Sequence, residues 1–186
     1  MKKETDEEVA LRVQKGDTEA FGELVERYQD KLSRYARKFL SDTDDAKDIV
    51  QDIFIKTYKN IQSFDASRRF SPWIYRIAHN EFVNALSKRS RAPLFQFDMD
   101  TIFPHLTAAE SADDRALDRS LRETLEKYLS ALDVKYREPL VLYYFEDMDY
   151  KTIAEVLHIP VSTVGVRIAR GKALLQKMAK PQDIYE

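Results

Sequence analysis

From Phe21 onward, apolar side chains recur at intervals of three and four: Leu24, Val25, Tyr28, Leu32, Tyr35, Ala36 and Phe39. A stripe held for roughly five turns is the mark of a long amphipathic helix, because a 3.6-residue period returns those positions to one face. A second stripe runs through Ala46, Ile49, Val50, Ile53, Phe54, Thr57, Tyr58 and Ile61, and a third through Trp73, Ile74, Ile77, Ala78, Phe82, Ala85 and Leu86. The 186 residues hold only four glycines and six prolines, too few for a succession of hairpin turns. An all-α chain follows.

Punctuation supports this. Thr5 and Glu8 suit a capping box at the start of a short helix over 5–15, which Gly16 ends, and Asp17 can cap the next. Ser71-Pro72 predicts an N-cap followed by proline at the first helical position. Residues 93–118 break the pattern with Pro93, Pro104 and six acids against one base, although Leu94, Phe95, Phe97, Ile102, Phe103 and Leu106 make them unusually apolar for a tether. Helical pattern resumes near Asp114 and continues in four segments to about Met178. The expected organisation is two helical domains, 1–92 and 119–186, joined by an acidic flexible linker at 93–118.

Thirty Lys and Arg against 32 Asp and Glu give a net charge of -2, an average that argues weakly against a nucleic-acid partner. The charges are segregated, however. Residues 68–91 carry net +5 through Arg68, Arg69, Arg76, Lys88, Arg89 and Arg91, with Glu81 opposing. Residues 161–180 also carry +5, with no acid at all, whereas 42–52 carry -4 and the connector -5. Solvated helix faces would explain each run singly. Their arrangement is two basic faces, one per domain, flanking an acidic connector.

The second basic run has a setting. In DYKTIAEVLHIPVSTVGVRIARGKALLQKM (149–178), Asp149 can cap a helix burying Ile153, Ala154 and Leu157. His158-Ile159-Pro160 makes a short turn, and a second helix buries Val164, Ile168 and Leu175. This is the helix-turn-helix pattern, which presents its second helix to the major groove. An ordinary helical hairpin would leave the acid-free basic stretch unexplained, whereas phosphate neutralisation requires it.

Two stretches then carry a resemblance. YREPLVLYYFEDMDYKTIAEVLHIPVSTVGVRIARGKALL is similar to the C-terminal domain of bacterial sigma factors, particularly the extracytoplasmic-function (ECF) type. DAKDIVQDIFIKTYKNIQSFD followed by FSPWIYRIAHNEFVNAL resembles that family's first helical domain, in the expected order, and the resemblance spans roughly 9–178 with the connector unmatched. The resemblance implies a factor that binds core RNA polymerase through its β′ and β subunits, recognises promoter elements near -35 and -10, helps open the duplex, and answers to an anti-sigma factor. It implies core-polymerase docking through Asp45, Asp48, Gln51 and Asp52, with Phe54 and Ile55 as apolar support.

For the -10 element it implies Ser63, Phe64, Asp65, Arg68 and Arg69 on the loop, and Arg76, Asn80 and Asn84 on the helix. Capturing an unpaired base takes a stacking surface, amide or hydroxyl hydrogen bonders, and nearby cations, and these residue types offer them. The -35 reader would be Ser162, Thr163, Gly165, Val166, Arg167, Ala169, Arg170 and Lys172. Gly165 and Val166 stand where the family usually carries a basic or polar pair, so direct base readout is expected to be reduced, with shape readout or Val166 against a thymine methyl compensating.

Other classes fit less well. A duplex-DNA regulator working without polymerase would share the helix-turn-helix but would need a ligand pocket or dimer interface in its N-terminal half. Catalysis has no P-loop, HExxH, GxSxG or dinucleotide turn to stand on, and His79, His105 and His158 are scattered. The absence of cysteine removes thiolate zinc sites and Cys nucleophiles, and the aspartates near 42–53 lack a calcium-loop spacing, so neither metal nor cofactor is expected. No apolar run reaches the ~18 residues of a membrane span and no secretory signal is visible, so a cytoplasmic protein without a small-molecule substrate is expected.

Overall fold

The computed structural model describes residues 4–40, 46–91 and 124–179. The linker 93–118, Asp45, His105 and Lys180 lie outside the described residues, as do the side chains of Arg89 and Arg91. Eight α-helices and one 3-10 turn account for the regular structure there, with no strand among the described residues.

Helix α1 (Asp6–Gln14) opens on the expected capping box. The Glu8 amide donates to Thr5 Oγ1 at 3.2 Å, and the Thr5 amide to Glu8 Oε2 at 2.8 Å. Gly16, at φ 102°, turns the chain where a side chain would be strained. Helix α2 (Ala20–Leu40) buries Leu24, Tyr28, Leu32, Tyr35, Ala36 and Phe39, the stripe read from the spacing. Helix α3 (Ala46–Asn60) buries Val50, Ile53 and Phe54, and leaves Tyr58 largely exposed.

After the 3-10 turn Ile61–Ser63, helix α4 (Phe70–Arg91) starts earlier than predicted. Phe70 is already helical, and its amide donates to Glu7 Oε1 on α1 at 2.8 Å. That carboxylate satisfies an N-terminal donor, so Ser71 is not required as a cap. Pro72 still lies in the first turn, where its missing N–H costs nothing.

The remaining helices are α5 (residues 124–131), α6 (Val134–Tyr144), α7 (Tyr150–Leu157) and α8 (Val161–Ala179). Asp133 caps α6, its Oδ1 accepting from the Lys135 amide at 2.9 Å. Helix α8 lies along α6 so closely that a Cβ on Gly171 would stand 2.7 Å from Leu140 Cδ1 and 3.3 Å from the Tyr136 carbonyl oxygen. Glycine is what lets these two axes approach.

The core is continuous across both halves of the chain. Tyr35, Phe39, Tyr75 and Phe82 form an aromatic cluster with ring centroids 4.9–5.9 Å apart. Helix α6 packs against α2, and α7 against α4. The guanidinium of Arg137 on α6 lies 5.7 Å from the Phe39 ring, and Lys38 Nζ on α2 lies 4.2 Å from the Phe145 ring. The sequence reading joined two bundles by a linker; the structure also presses them together.

Candidate protein and nucleic-acid interfaces

Three surfaces carry the residues singled out above. On α3, Asp48, Gln51, Asp52 and Ile55 are exposed, with Ile55 at 43%. Phe54 differs from expectation: at 9% exposure it belongs mostly to the core, because its position shares the buried face with Val50 and Ile53. It forms part of the floor of a groove of about 630 Å³ between α2 and α3, walled by Phe21, Val25, Ile55 and Tyr58 with Lys47 and Lys59 along it. The polar residues of α3 thus border an open apolar trough. Lys56 Nζ pairs with Glu81 Oε2 and ties α3 to α4.

The loop between α3 and α4 is pinned from behind, since Gln14 Nε2 lies 2.7 Å from the Ile61 carbonyl oxygen and 2.8 Å from that of Phe64. Ser63 is exposed, its hydroxyl donating to the Asn60 carbonyl at 2.7 Å. Asp65 accepts from the Ser67 hydroxyl at 2.7 Å and the Ser67 amide at 3.0 Å, bonds that hold its carboxyl below the usual range. Arg68 is an open cation on the loop, its side chain 83% exposed.

Phe64 is a correction. It is 5% exposed, wedged against Phe70 and Trp73 at centroid distances of 5.2 Å each. A loop this short needs an apolar anchor, and burying that ring leaves no face for a base. Arg69 is engaged elsewhere, its Nη2 donating to Thr152 Oγ1 on α7 at 2.6 Å. On α4, Asn80 and Asn84 are both exposed one turn apart, with Arg76 half-buried.

The third surface is the helix-turn-helix. Helices α7 and α8 are bent 102° from one another, within the range of that motif. Asp149 caps α7, accepting from the Thr152 amide at 2.7 Å, and the Thr152 hydroxyl and then its amide hold the carboxyl below the usual range. His158 closes α7 in the left-handed conformation at φ 52°, with its amide donating to the Ala154 carbonyl. Helix α8 buries Val164, Ile168 and Gly171 and half-buries Leu175. It exposes Ser162, Val166, Ala169, Arg170 and Lys172, while Thr163, Gly165 and Arg167 are half-buried at its flanks. Beside Gly165, the Tyr150 ring edge stands 3.5 Å from where a Cβ would be, an ordinary contact. Packing therefore does not demand glycine there, unlike at Gly171.

Between the halves lies a set of residues the sequence reading missed. Arg34 on α2 grips Glu146 through Nε and Nη2 at 2.8 and 3.0 Å, and the Tyr75 hydroxyl donates to the same carboxylate at 2.5 Å. The Glu146 side chain is 1% exposed. Glu138 accepts from the Tyr35 hydroxyl at 2.5 Å, and His79 Nδ1 stands 2.7 Å from the same oxygen. Burial pushes both phenols well above their ordinary range, so both stay protonated and donate. Leaving either buried carboxylate without its donors would cost more than the ~1–3 kcal/mol of a neutral unpaired group. No local pattern marks these residues, because a glutamate on a helix, like Glu138, or in a short connection, like Glu146, usually faces water.

No single helix among the described residues is long and apolar enough to cross a membrane; α7 and α8 pass such a test only as the bent pair just described. No group of His, Cys, Asp and Glu able to hold a metal occurs among the described residues.

The family model for sigma-70 region 2 matches residues 24–92, and that for sigma-70 region 4 matches 122–175. The ECF RNA polymerase sigma factor SigW of Bacillus subtilis is 34% identical over 177 residues, covering 91% of this chain and 94% of that protein. The ECF sigma-E factor of Escherichia coli K12 is 32% identical over 184 residues, 95% of each chain. Among solved structures, CnrH in complex with the cytosolic domain of CnrY matches with a TM-score of 0.71 at 28% identity, over 94% of this chain and 97% of that one. RpoE in complex with the anti-sigma factor NepR, from Bartonella quintana, matches with a TM-score of 0.68 at 26% identity, over 87% and 98%. The chain belongs to the sigma-70 family and is an RNA polymerase sigma factor of the extracytoplasmic-function type.

Proposed function

We propose that the three surfaces divide the work of initiation. The α3 face (Asp48, Gln51, Asp52, Ile55, with Asp45 just before it) docks on core RNA polymerase, and the neighbouring trough receives apolar side chains of the same partner. The loop after α3 and the exposed amides of α4 (Ser63, Asp65, Arg68, Asn80, Asn84, with Arg76 beside them) capture the -10 element as it opens. Helix α8 reads the -35 element, with Ser162, Val166 and Ala169 towards the base edges. Arg170 and Lys172 lie towards phosphates, flanked by Thr163, Gly165 and Arg167. The units performing these tasks are 1–92 and 119–186, joined through 93–118.

The observation that carries this reading is the separation of surfaces. An exposed acidic and amide face, an exposed amide pair beside open cations, and an acid-free helix-turn-helix all sit on one molecule. A duplex-DNA regulator has no use for the first two. The protein acts in the cytoplasm, as an initiation factor and not an enzyme, and an anti-sigma protein restrains it, as NepR binds RpoE in the matched structure.

The deciding experiment mixes the purified chain with core RNA polymerase and genomic fragments and sequences the transcripts. Initiation from a shared pair of promoter elements is the expected result. Tight binding of the free protein to duplex DNA, with no association with polymerase, would overturn it.

A further inference from the structure

Helix α8 presents an outward line of side chains with little to hydrogen-bond with. Its packed positions are Val164, Ile168 and Gly171. At about 100° per residue, the positions furthest round from these are Ser162, Val166, Ala169 and Ala173, all of them exposed. Arg170 lies to one side of that line and Lys172 to the other, and the helix carries no acid. Cations on both flanks suit the two phosphate backbones that wall a major groove. The line between them is left facing the base edges.

Of those side chains only Ser162 can hydrogen-bond, and a serine hydroxyl pairs with several bases alike. Gly165 has no side chain to offer, and the Tyr150 ring edge stands 3.5 Å from where its Cβ would be, so an aromatic ring closes that flank. Val166 is different. It sits within the outward line, 49% exposed, and a β-branched side chain in a helix holds essentially one χ1 rotamer. Its two methyl groups therefore point in a fixed direction. Thymine alone presents an apolar group in the major groove, its C5-methyl. The other bases present donors and acceptors there, which an isopropyl group would strip of water without pairing.

We propose that Val166 is a specificity-determining residue, selecting a thymine of the -35 element by contact with its C5-methyl group. The proposal rests on α8 being the -35 reader. Arg170 and Lys172 set the register on phosphates and take no part in the choice of base. Since the discriminating contact is uncharged, added salt weakens binding to every promoter but leaves the preference for thymine unchanged.

The test uses holoenzyme formed from the full-length chain and the promoters recovered by transcript sequencing. Each thymine of the -35 element is replaced singly by deoxyuridine, which removes the methyl and keeps the base pair. At one of them the wild-type holoenzyme should bind about fourfold more weakly, the effect of one buried methyl group. At that position 5-methylcytosine should bind more tightly than cytosine. Val166→Ala should lose most of the distinction between thymine and deoxyuridine with unchanged circular dichroism, because the side chain lies outside the core. Val166→Gln should move the preference there towards adenine. Arg170→Ala should weaken all promoters alike and keep the fourfold ratio. Deoxyuridine tolerated at every -35 thymine, or an equal loss in wild type and Val166→Ala, overturns methyl recognition even where Arg170→Ala behaves as expected. Promoter binding untouched by Arg170→Ala would instead overturn the placement of α8 at -35, and the proposal with it.

Discussion

Two residues show how different demands fall on neighbouring positions. Gly171 is fixed by shape: a methyl group there meets Leu140 on one side and the Tyr136 carbonyl on the other. Leu140 is itself buried and has little room to yield. Gly171→Ala should therefore destabilise the fold by about 1–3 kcal/mol in a denaturant titration, the usual cost of overpacking. Asn80, by contrast, is exposed, and its replacement should be silent in that titration. Asn80→Ala is expected to lower promoter opening, read as loss of permanganate reactivity at -10, with polymerase binding kept. Normal reactivity would remove Asn80 from the -10 site.

Among the elements, α3 and α8 are legible from spacing because each buries one stripe and exposes the rest. Asp48→Arg on α3 reverses a charge at an exposed position, so a pull-down should lose core polymerase while far-UV circular dichroism stays unchanged. On α8, Arg170→Ala should weaken -35 binding for all sequences alike and reduce the slope of log affinity against log salt by about one. The capping box, the turn at His158–Pro160 and the buried stripes could all be anticipated, since each rests on local spacing along the chain. Phe64 could not: an aromatic residue between Ser63 and Asp65 reads as available for stacking until Phe70 and Trp73 are seen to enclose it. The start of α4 was missed for a related reason, since its first amide is satisfied by Glu7 from another helix. Glu138 and Glu146 are the extreme case, because their partners lie 59 to 112 residues away in the chain.

For the molecule as a whole, one continuous core with charged contacts across it predicts cooperative behaviour. Calorimetry of the free protein should show a single unfolding transition, with both halves melting together. Glu146→Gln alone should lower the temperature of that transition and leave it single, because the shared apolar core and the Glu138 contacts still join the halves. A second consequence follows from the seating of α8 against α6. Its inner edge, Val164, Ile168 and Gly171, is locked by packing, while Ser162, Val166, Ala169 and Ala173 on the outer edge are exposed and bear no part of the core. On the proposed reading, in which this outer edge meets the -35 element, promoter preference is free to drift. Duplicated copies of such a gene can diverge to new target sequences by changing the outer edge alone, and each descendant inherits the same scaffold at no cost to its folding.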